Sequence, residues 1–123
     1  MNYLLLTLII MNVAHAQGEK MTTKVKEIIV YRISKEKLDD FKKIKDQIIK
    51  ESYGLRGLHS STTSKSLDID GVFIDTMIWD SKEASKKAFK EFQKLPTAPK
   101  FLGLMDGPPL FQHFSEYIPD NLK

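Results

Sequence analysis

The strongest constraint on this chain is the order in which helix-like and strand-like patterns follow one another. Two segments carry apolar residues three or four positions apart, as on one face of a helix: Leu38, Phe41, Ile44 and Ile48, then Ala84, Ala88, Phe89, Phe92 and Leu95. Four segments of strand-like composition lie around them, at 24–33, 58–66, 72–79 and 110–117. The sequence therefore predicts six elements in the order βαββαβ.

This order restricts the topology of the fold. Because crossover connections are right-handed, the two βαβ halves interleave into one four-stranded antiparallel sheet with the spatial order 4-1-3-2. Both helices then lie on one face, so the expected fold class is α+β, a ferredoxin-like plait. A chain of 123 residues, 41% hydrophobic and 28% charged, has the size and composition of a single globular domain.

The third predicted strand, 72–79, indicates how the open face of the sheet is covered. Its sequence, VFIDTMIW, is apolar on both alternating sides except at Asp75 and Thr76, so both sides are expected to be buried. The helices cover only one side, and an exposed apolar face of that size requires a partner. We therefore predict a homodimer in which the open faces of two sheets pack together.

The N-terminal residues differ in composition from the rest of the chain. Met1–Ala16 contains the apolar run LLLTLII and ends in Ala-His-Ala, the small-x-small pattern of a signal-peptidase site. The run is too short to span a bilayer, so no stable membrane span is expected. We predict a signal peptide at 1–16, a linker at 17–23, the folded domain at 24–117 and a C-terminal tail at 118–123. The mature protein is then periplasmic or secreted, whereas translation from Met21 would make it cytoplasmic.

Charge and cysteine content exclude several classes of function. Nineteen Lys and Arg against sixteen Asp and Glu give a net charge of +3, too small and too dispersed to indicate a nucleic-acid partner. With no cysteine in the chain, thiolate catalysis, iron–sulfur clusters and cysteine-type zinc sites are excluded. The three histidines lack metal-site spacing, so no metal is expected. Solvated helix faces are expected for the lysines at 42, 43, 45, 50, 86, 87 and 90.

Local signals predict where the second helix begins and ends. Asp80 and Ser81 can each cap it, and Glu83, three residues after Asp80, forms a capping-box-like pair with that residue. Pro96 is expected to end it, because proline cannot continue a helix. The segment 97–109 is then a loop with one helical turn at 100–104.

Asp75 is the most informative polar residue, because it interrupts an otherwise apolar strand. Met77 and Trp79 follow it by two and four positions, so all three side chains point to one face of the sheet. A carboxylate there must be paired or neutralised. If Asp75 has only a structural role, its carboxylate contacts Arg32 or a backbone donor, or lies at the dimer interface.

A catalytic role for Asp75 depends on the register of the predicted hairpin. If the turn is centred near Leu67, His59 lies opposite Asp75, and the carboxylate orients the imidazole as a general base. If the centre is nearer Asp68 or Ile69, the pair is broken, because a small slip changes every cross-strand neighbour.

The remaining candidates would bind a small apolar or aromatic molecule. Tyr31 and His113 lie on predicted strands and can position an oxyanion or a phenolate. Phe101, in the segment before the last strand, either forms part of a lid over a cavity or caps the core. The complete prediction is a catalytic pair, Asp75 and His59, and a binding site formed by Trp79, Tyr31, His113, Met77 and Phe101.

The string Trp79-Asp80-Ser81-Lys82-Glu83-Ala84 closes a strand and opens a helix. It resembles the Trp-x-Ser-x-Glu-Ala junction of antibiotic biosynthesis monooxygenase (ABM) domains, and the resemblance spans about residues 24–117. ABM domains are dimeric α/β barrels, and some are cofactor-independent monooxygenases that act on polycyclic aromatic substrates. The resemblance therefore implies a dimeric barrel that oxidises an electron-rich molecule with no cofactor, because the substrate itself reduces O₂.

Two alternatives stay open within the same fold. Haem-degrading ABM domains use an Asn on the first strand, the junction Trp, and a His on or after the second helix. Here the junction residue is Trp79, the first-strand position holds Tyr31, and no His occurs in 82–112, so haem binding through His59 or His113 is the weaker alternative. The other is a dimer that binds a small molecule or acts in a stress response without catalysis.

Overall fold

The computed structural model describes residues 24–52 and 54–123, so the predicted signal peptide and linker lie outside the described residues. The strands are β1 (Val25–Arg32), β2 (Leu58–Lys65), β3 (Val72–Trp79) and β4 (Leu110–Ser115). The α-helices in this part of the chain are α1 (Leu38–Ser52), α2 (Lys82–Gln93) and α3 (Thr97–Gly103), with short 3₁₀ helices at Lys35–Lys37 and Asp120–Leu122. The predicted order βαββαβ is confirmed, with one additional helix before β4.

The strands form one antiparallel sheet in the order β2-β3-β1-β4, which is the predicted 4-1-3-2 order. β1 is an inner strand, and its Ile29 lies opposite Asp75 of β3 on one side and Phe111 of β4 on the other. β2 pairs with the far side of β3, and a β-bulge between Leu58 and Ser60 interrupts that ladder. β2 and β4 are therefore the edge strands of the sheet.

The helices pack on the sheet face that carries the odd-numbered residues of β1. Phe41 of α1 and Phe101 of α3 contact Tyr31, with ring centroids 6.0 and 5.5 Å apart. Phe41 also lies 4.6 Å from Phe73 of β3. Tyr31, Ile33, Phe41 and Phe101 form the buried core. Each such side chain stabilises the fold by about 1.5–3 kcal/mol, because its apolar surface is removed from water.

The N-cap of α2 is the second of the two residues predicted as possible caps. Ser81, not Asp80, caps the helix, and its hydroxyl accepts a hydrogen bond from the backbone N–H of Ala84 at 3.0 Å. Asp80 directs its carboxylate to His59 instead. A serine hydroxyl satisfies one of the free N–H groups at a helix start as well as a carboxylate does.

Pro96 has a different role from the one predicted. α2 ends at Gln93, before the proline, and Pro96 is the N-cap of α3. Proline is tolerated at a helix start, where its missing N–H would have no partner within the helix. The segment predicted as a loop is therefore helical over Thr97–Gly103, and Thr97, Ala98 and Phe101 of this helix are buried.

The opposite face of the sheet carries the even-numbered residues of β1 and their neighbours. Its central side chains are largely apolar and include Ile28, Val30, Ile74, Ile78 and Phe114. An open groove on this face is lined by Ile28, Ile78 and Phe114, with lysine, serine, glutamate and tyrosine residues at its margin. Within residues 24–52 and 54–123, no helix has the length and apolar character needed to cross a membrane.

Candidate functional site

Two carboxylates are buried between the sheet and the helices. Glu27 of β1 is 3% exposed and Asp75 of β3 is 5% exposed. Both lie on the helix-facing side, which the strand register fixes through the pairs Ile29↔Asp75 and Glu27↔Met77. Since burying an isolated carboxylate costs several kcal/mol or more, the partners of these two groups define what each can do.

Asp75 lies among three donors that satisfy both of its oxygens. Oδ1 accepts hydrogen bonds from the hydroxyl of Tyr31 at 3.0 Å and from the hydroxyl of Thr63 at 2.8 Å. Oδ2 forms a salt bridge with Nζ of Lys45 at 2.5 Å. We call Asp75, Tyr31, Thr63 and Lys45 the Asp75 cluster. Its carboxylate is paired with a cation and hydrogen-bonded, which is the arrangement of a structural ion pair.

Aromatic packing surrounds the Tyr31 side of the Asp75 cluster, whereas Thr63, on the edge strand β2, is exposed. The Tyr31 ring stacks on Phe73 at 5.9 Å and meets Phe41 and Phe101 edge to face. Burial, and then the negative charge and hydrogen bond of Asp75, raise the pKa of the Tyr31 hydroxyl well above its ordinary value. Tyr31 is therefore a neutral donor held in the core. Phe101 is part of that core and not of a lid.

The predicted pair of His59 and Asp75 does not form. Thr63, not His59, lies opposite Asp75, because the hairpin is centred at residue 69. His59 sits at the β-bulge, and its Nε2 contacts the carboxylate of Asp80. The pair depended on a turn centred near Leu67, and the turn is instead centred at Ile69, the alternative that breaks the pair.

Lys45 corrects a second expectation. The sequence predicts that Lys45 lies on a solvated helix face, yet its side chain is almost fully buried against Asp75. Its ammonium also lies 5.7 Å from the ring centre of Tyr31 and 5.2 Å from that of Phe101. Lys45 follows Phe41 by four positions, so it belongs to the inward stripe of α1. This four-residue spacing is the sequence feature that predicts an inward-facing Lys45.

Glu27 has different partners, which form a chain leading toward the surface. Its Oε1 accepts a hydrogen bond from Nε1 of Trp79 at 3.2 Å, and its Oε2 accepts one from the hydroxyl of Ser85 at 2.6 Å. Nε2 of His113 lies 2.8 Å from the same hydroxyl oxygen and 3.4 Å from Glu27 Oε2. We call Glu27, Trp79, Ser85 and His113 the Glu27 chain. Among the described residues, Glu27 forms no salt bridge with a lysine or arginine.

The Glu27 chain fixes the tautomer of His113. Ser85 has one hydroxyl proton and gives it to the carboxylate at 2.6 Å. Its oxygen therefore accepts a hydrogen bond from His113, so Nε2 carries the ring proton. The other ring nitrogen, Nδ1, is then the basic one. The Glu27 carboxylate oxygen Oε2 lies 3.4 Å from the same ring nitrogen, Nε2.

His113 adjoins two exposed aromatic rings. Phe111, two residues before it on β4, meets the imidazole edge to face at 5.1 Å. Phe89 of α2 packs on Phe111 at 6.0 Å. The two phenylalanines are 39% and 40% exposed, and β4 is an edge strand. We call Phe89, Phe111 and His113 the aromatic ledge. The aromatic ledge is open to solvent at the β4 edge of the sheet.

The sequence analysis identified Trp79, Tyr31 and His113 but missed Glu27 and Ser85. A signal for each was present. Glu27 shares the helix-facing side of β1 with Tyr31 because they are four positions apart on a strand. Ser85 precedes Phe89 by one helical turn, so it lies on the inward side of α2.

Met77, also predicted in the site, faces the same side between Glu27 of β1 and Ser61 of β2. The structure thus brings Trp79 and His113 together around Glu27. It places Tyr31 and Asp75 in a separate cluster and leaves His59 apart from both. Within residues 24–52 and 54–123, no group of three or more His, Asp and Glu side chains is arranged to hold a metal ion.

No protein-family model and no curated protein matches this sequence. Solved structures do match. SnoaB, a cofactor-independent oxygenase from Streptomyces nogalater, is similar with a TM-score of 0.68 at 14% identity, over 80% of this chain and 97% of that chain. A candidate antibiotic biosynthesis monooxygenase from Bordetella bronchiseptica gives a TM-score of 0.66 at 16% identity, over 78% and 99%.

A conserved protein from Methanosarcina mazei Go1 gives a TM-score of 0.70 at 10% identity, over 81% of this chain and 99% of that chain. At such low identities the similarity concerns the fold. The chain has the ferredoxin-like fold of the ABM structures, and the resemblance stated from the Trp79–Ala84 junction is confirmed at that level.

Proposed function

We propose that this chain is an ABM-like protein that binds a small aromatic molecule on the aromatic ledge and oxidises it with O₂ and no cofactor. The observation that carries this proposal is the Glu27 chain. The buried carboxylate of Glu27, which has no lysine or arginine partner among the residues that the structure describes, is connected through Ser85 to His113, whose ring adjoins exposed aromatic side chains. This arrangement supplies a general base beside an apolar surface that can hold its substrate.

The chemistry requires a substrate that is electron-rich once deprotonated. Nδ1 of His113 takes a proton from an activated CH₂ group between hydroxyl-bearing aromatic rings, and Glu27 stabilises the resulting imidazolium. The carbanion passes an electron to O₂, and the two radicals combine into a peroxide. Loss of water then leaves a carbonyl. In total CH₂ and O₂ become C=O and H₂O, so the substrate supplies all four electrons.

The test compares the two described histidines with 1,8-dihydroxyanthrone as the probe. Oxygen uptake and quinone absorbance are followed for the wild type, His113→Gln and His59→Gln, and ¹⁸O₂ should place one labelled atom in the product. Removal of a general base should lower the rate about 100-fold or more in His113→Gln. His59→Gln should keep the wild-type rate, because among the described side chains His59 forms a hydrogen bond with Asp80 and with no member of the Glu27 chain.

An equal loss of rate in both variants, with both folded by circular dichroism, would assign the effect to structure and refute the base. A wild-type protein that binds the probe without turnover would favour the second candidate, a non-catalytic binding protein. One observation supports that candidate: the interior around Asp75 is filled by aromatic rings.

We also propose that two chains associate through the open sheet face. Ile28, Ile78 and Phe114 line the groove on that face, and water contact with such a surface is unfavourable. Sedimentation should give twice the mass of one chain, and Ile28→Glu should give single chains. A wild-type protein that sediments as a single chain at high concentration would refute the dimer.

Export by Met1–Ala16 stays a proposal that rests on the sequence alone. The small-x-small site predicts a mature protein that starts at Gln17. N-terminal sequencing of the protein from its own cells tests this directly. A mature chain that starts at Met21 would identify a cytoplasmic protein.

A further inference from the structure

The lysines of α2 beside the aromatic ledge bear on the charge of its ligand, if the ledge has the function proposed above. One flank of α2 carries lysines beside Phe89. At about 100° per residue, Lys82 and Lys86 lie within about 60° of Phe89 around the helix axis. Glu83 and Glu91 lie about 120° or more from Phe89 on the same measure. The side of α2 that contains Phe89 is therefore positively charged.

Contacts of α2 show which way this flank points. Ala84 faces the β2 side, where a Cβ placed on Gly57 would lie 2.8 Å from the Ala84 Cβ. Ser85 and Phe89 contact His113 and Phe111 of β4. The helix surface beyond Phe89 thus extends past the edge strand, and the lysines rim the ledge on its solvent side.

These lysines are available for a ligand. Lys82 and Lys86 are exposed, and in the part of the chain that the structure describes neither forms a salt bridge with a carboxylate. Glu83 is exposed and lies three residues before Lys86, on the side of the lysine away from Phe89, and Glu27 lies beneath the ledge and is held by Ser85 and Trp79. A cationic rim beside an apolar surface attracts a molecule with the opposite charge and an apolar body.

We propose that the ligand of the aromatic ledge is an aromatic carboxylate. Its rings lie on Phe89 and Phe111, its acidic hydrogen faces His113, and its carboxylate pairs with Lys86. The same ammonium favours the anion that forms when His113 removes a proton, because negative charge then increases next to the rim. The lysine rim selects acids over neutral analogues of the same shape.

The experiment uses the full chain and two probes of nearly equal shape, 1-hydroxy-2-naphthoic acid and its carboxamide. Binding is measured by calorimetry at 20 and 300 mM NaCl. The acid should bind about fivefold more tightly than the amide at low salt, which is the range of one exposed ion pair. High salt should reduce the difference. Lys86→Gln should remove it, and Lys43→Gln, on an exposed lysine of α1, should preserve it.

The outcomes separate this inference from the proposed function. Equal binding of acid and amide would overturn the acid selectivity and leave ring binding at the ledge intact. Selectivity that persists in Lys86→Gln would overturn the role of that lysine. If neither probe binds, both the ledge and the inference are wrong. Phe111→Ala should weaken the acid and the amide alike, which reports on the ring site alone.

Discussion

The two buried carboxylates, Asp75 and Glu27, have similar positions in the sheet but different partners. Asp75 and Glu27 lie on neighbouring strands, on the same face, with nearly equal burial. Asp75 is neutralised by Lys45 and enclosed by aromatic rings. Glu27 is held by neutral donors, and its chain leads to a histidine near the sheet edge. Burial alone therefore does not distinguish the two carboxylates, whereas the charge and location of their partners do.

The largest expected effect comes from removing the cation of the Asp75 cluster. Lys45→Met leaves a carboxylate buried without its counter-charge, and the free energy of unfolding should fall by about 3 kcal/mol. Urea unfolding measures this, and Lys43→Met, two positions away on the exposed side of α1, is the matched control. Lys45→Met/Asp75→Asn should recover part of the loss. A stable Lys45→Met single variant would mean that the ion pair does not hold the core.

A smaller effect is expected at the centre of the Glu27 chain. Ser85→Ala removes one hydrogen bond to a charged group and should cost about 2 kcal/mol of unfolding free energy. It should also lower turnover about tenfold, because His113 loses the partner that fixes its tautomer. Ser81→Ala, which removes the N-cap of the same helix, should cost about 1 kcal/mol and leave turnover unchanged. Equal turnover in the two variants would separate Ser85 from the chemistry.

The smallest expected effect is on the pH dependence of the free energy of unfolding, and it comes from Tyr31 of the Asp75 cluster. The pKa of Tyr31 is raised in the native state, so above pH ~10 the unfolded chain loses this proton first. The contribution of the protonated Tyr31 hydroxyl to the free energy of unfolding is fully present below pH 10. It is lost at about 1.4 kcal/mol per pH unit as the pH rises further. Tyr31→Phe should flatten this decline in urea unfolding, and Tyr117→Phe controls for an exposed tyrosine. A decline that persists in Tyr31→Phe would assign it to other groups.

The fold was predictable because its evidence is periodic. The stripe of α1 and the apolar β3 set the element types, and β3 has the predicted bounds, Val72–Trp79. Right-handed crossovers then left one strand order. α3 was predicted only as one helical turn at 100–104, because Thr97–Gly103 is short and its apolar spacing is too brief to predict the whole helix.

The candidate site was less predictable because it depends on register. β2 is polar on both faces, so no hydrophobic alternation fixes its alignment with β3. The turn decides it: the hydroxyl of Ser66 accepts hydrogen bonds from the N–H groups of Asp68 and Ile69, and Gly71 adopts a positive φ of 79°. These contacts centre the hairpin two residues beyond Leu67, which removes His59 from Asp75.

Gly57 has a consequence for where harmful substitutions would occur. It has a φ of +86°, and a methyl group there would lie 2.8 Å from the Cβ of Ala84, next to Ser85. Its carbonyl also accepts a hydrogen bond from the backbone N–H of Asp80 at 2.8 Å. A larger residue would push the start of α2 away from the sheet and lengthen the hydrogen bond between Ser85 and Glu27. Gly57 touches no ligand, yet a random screen for impaired variants should recover it.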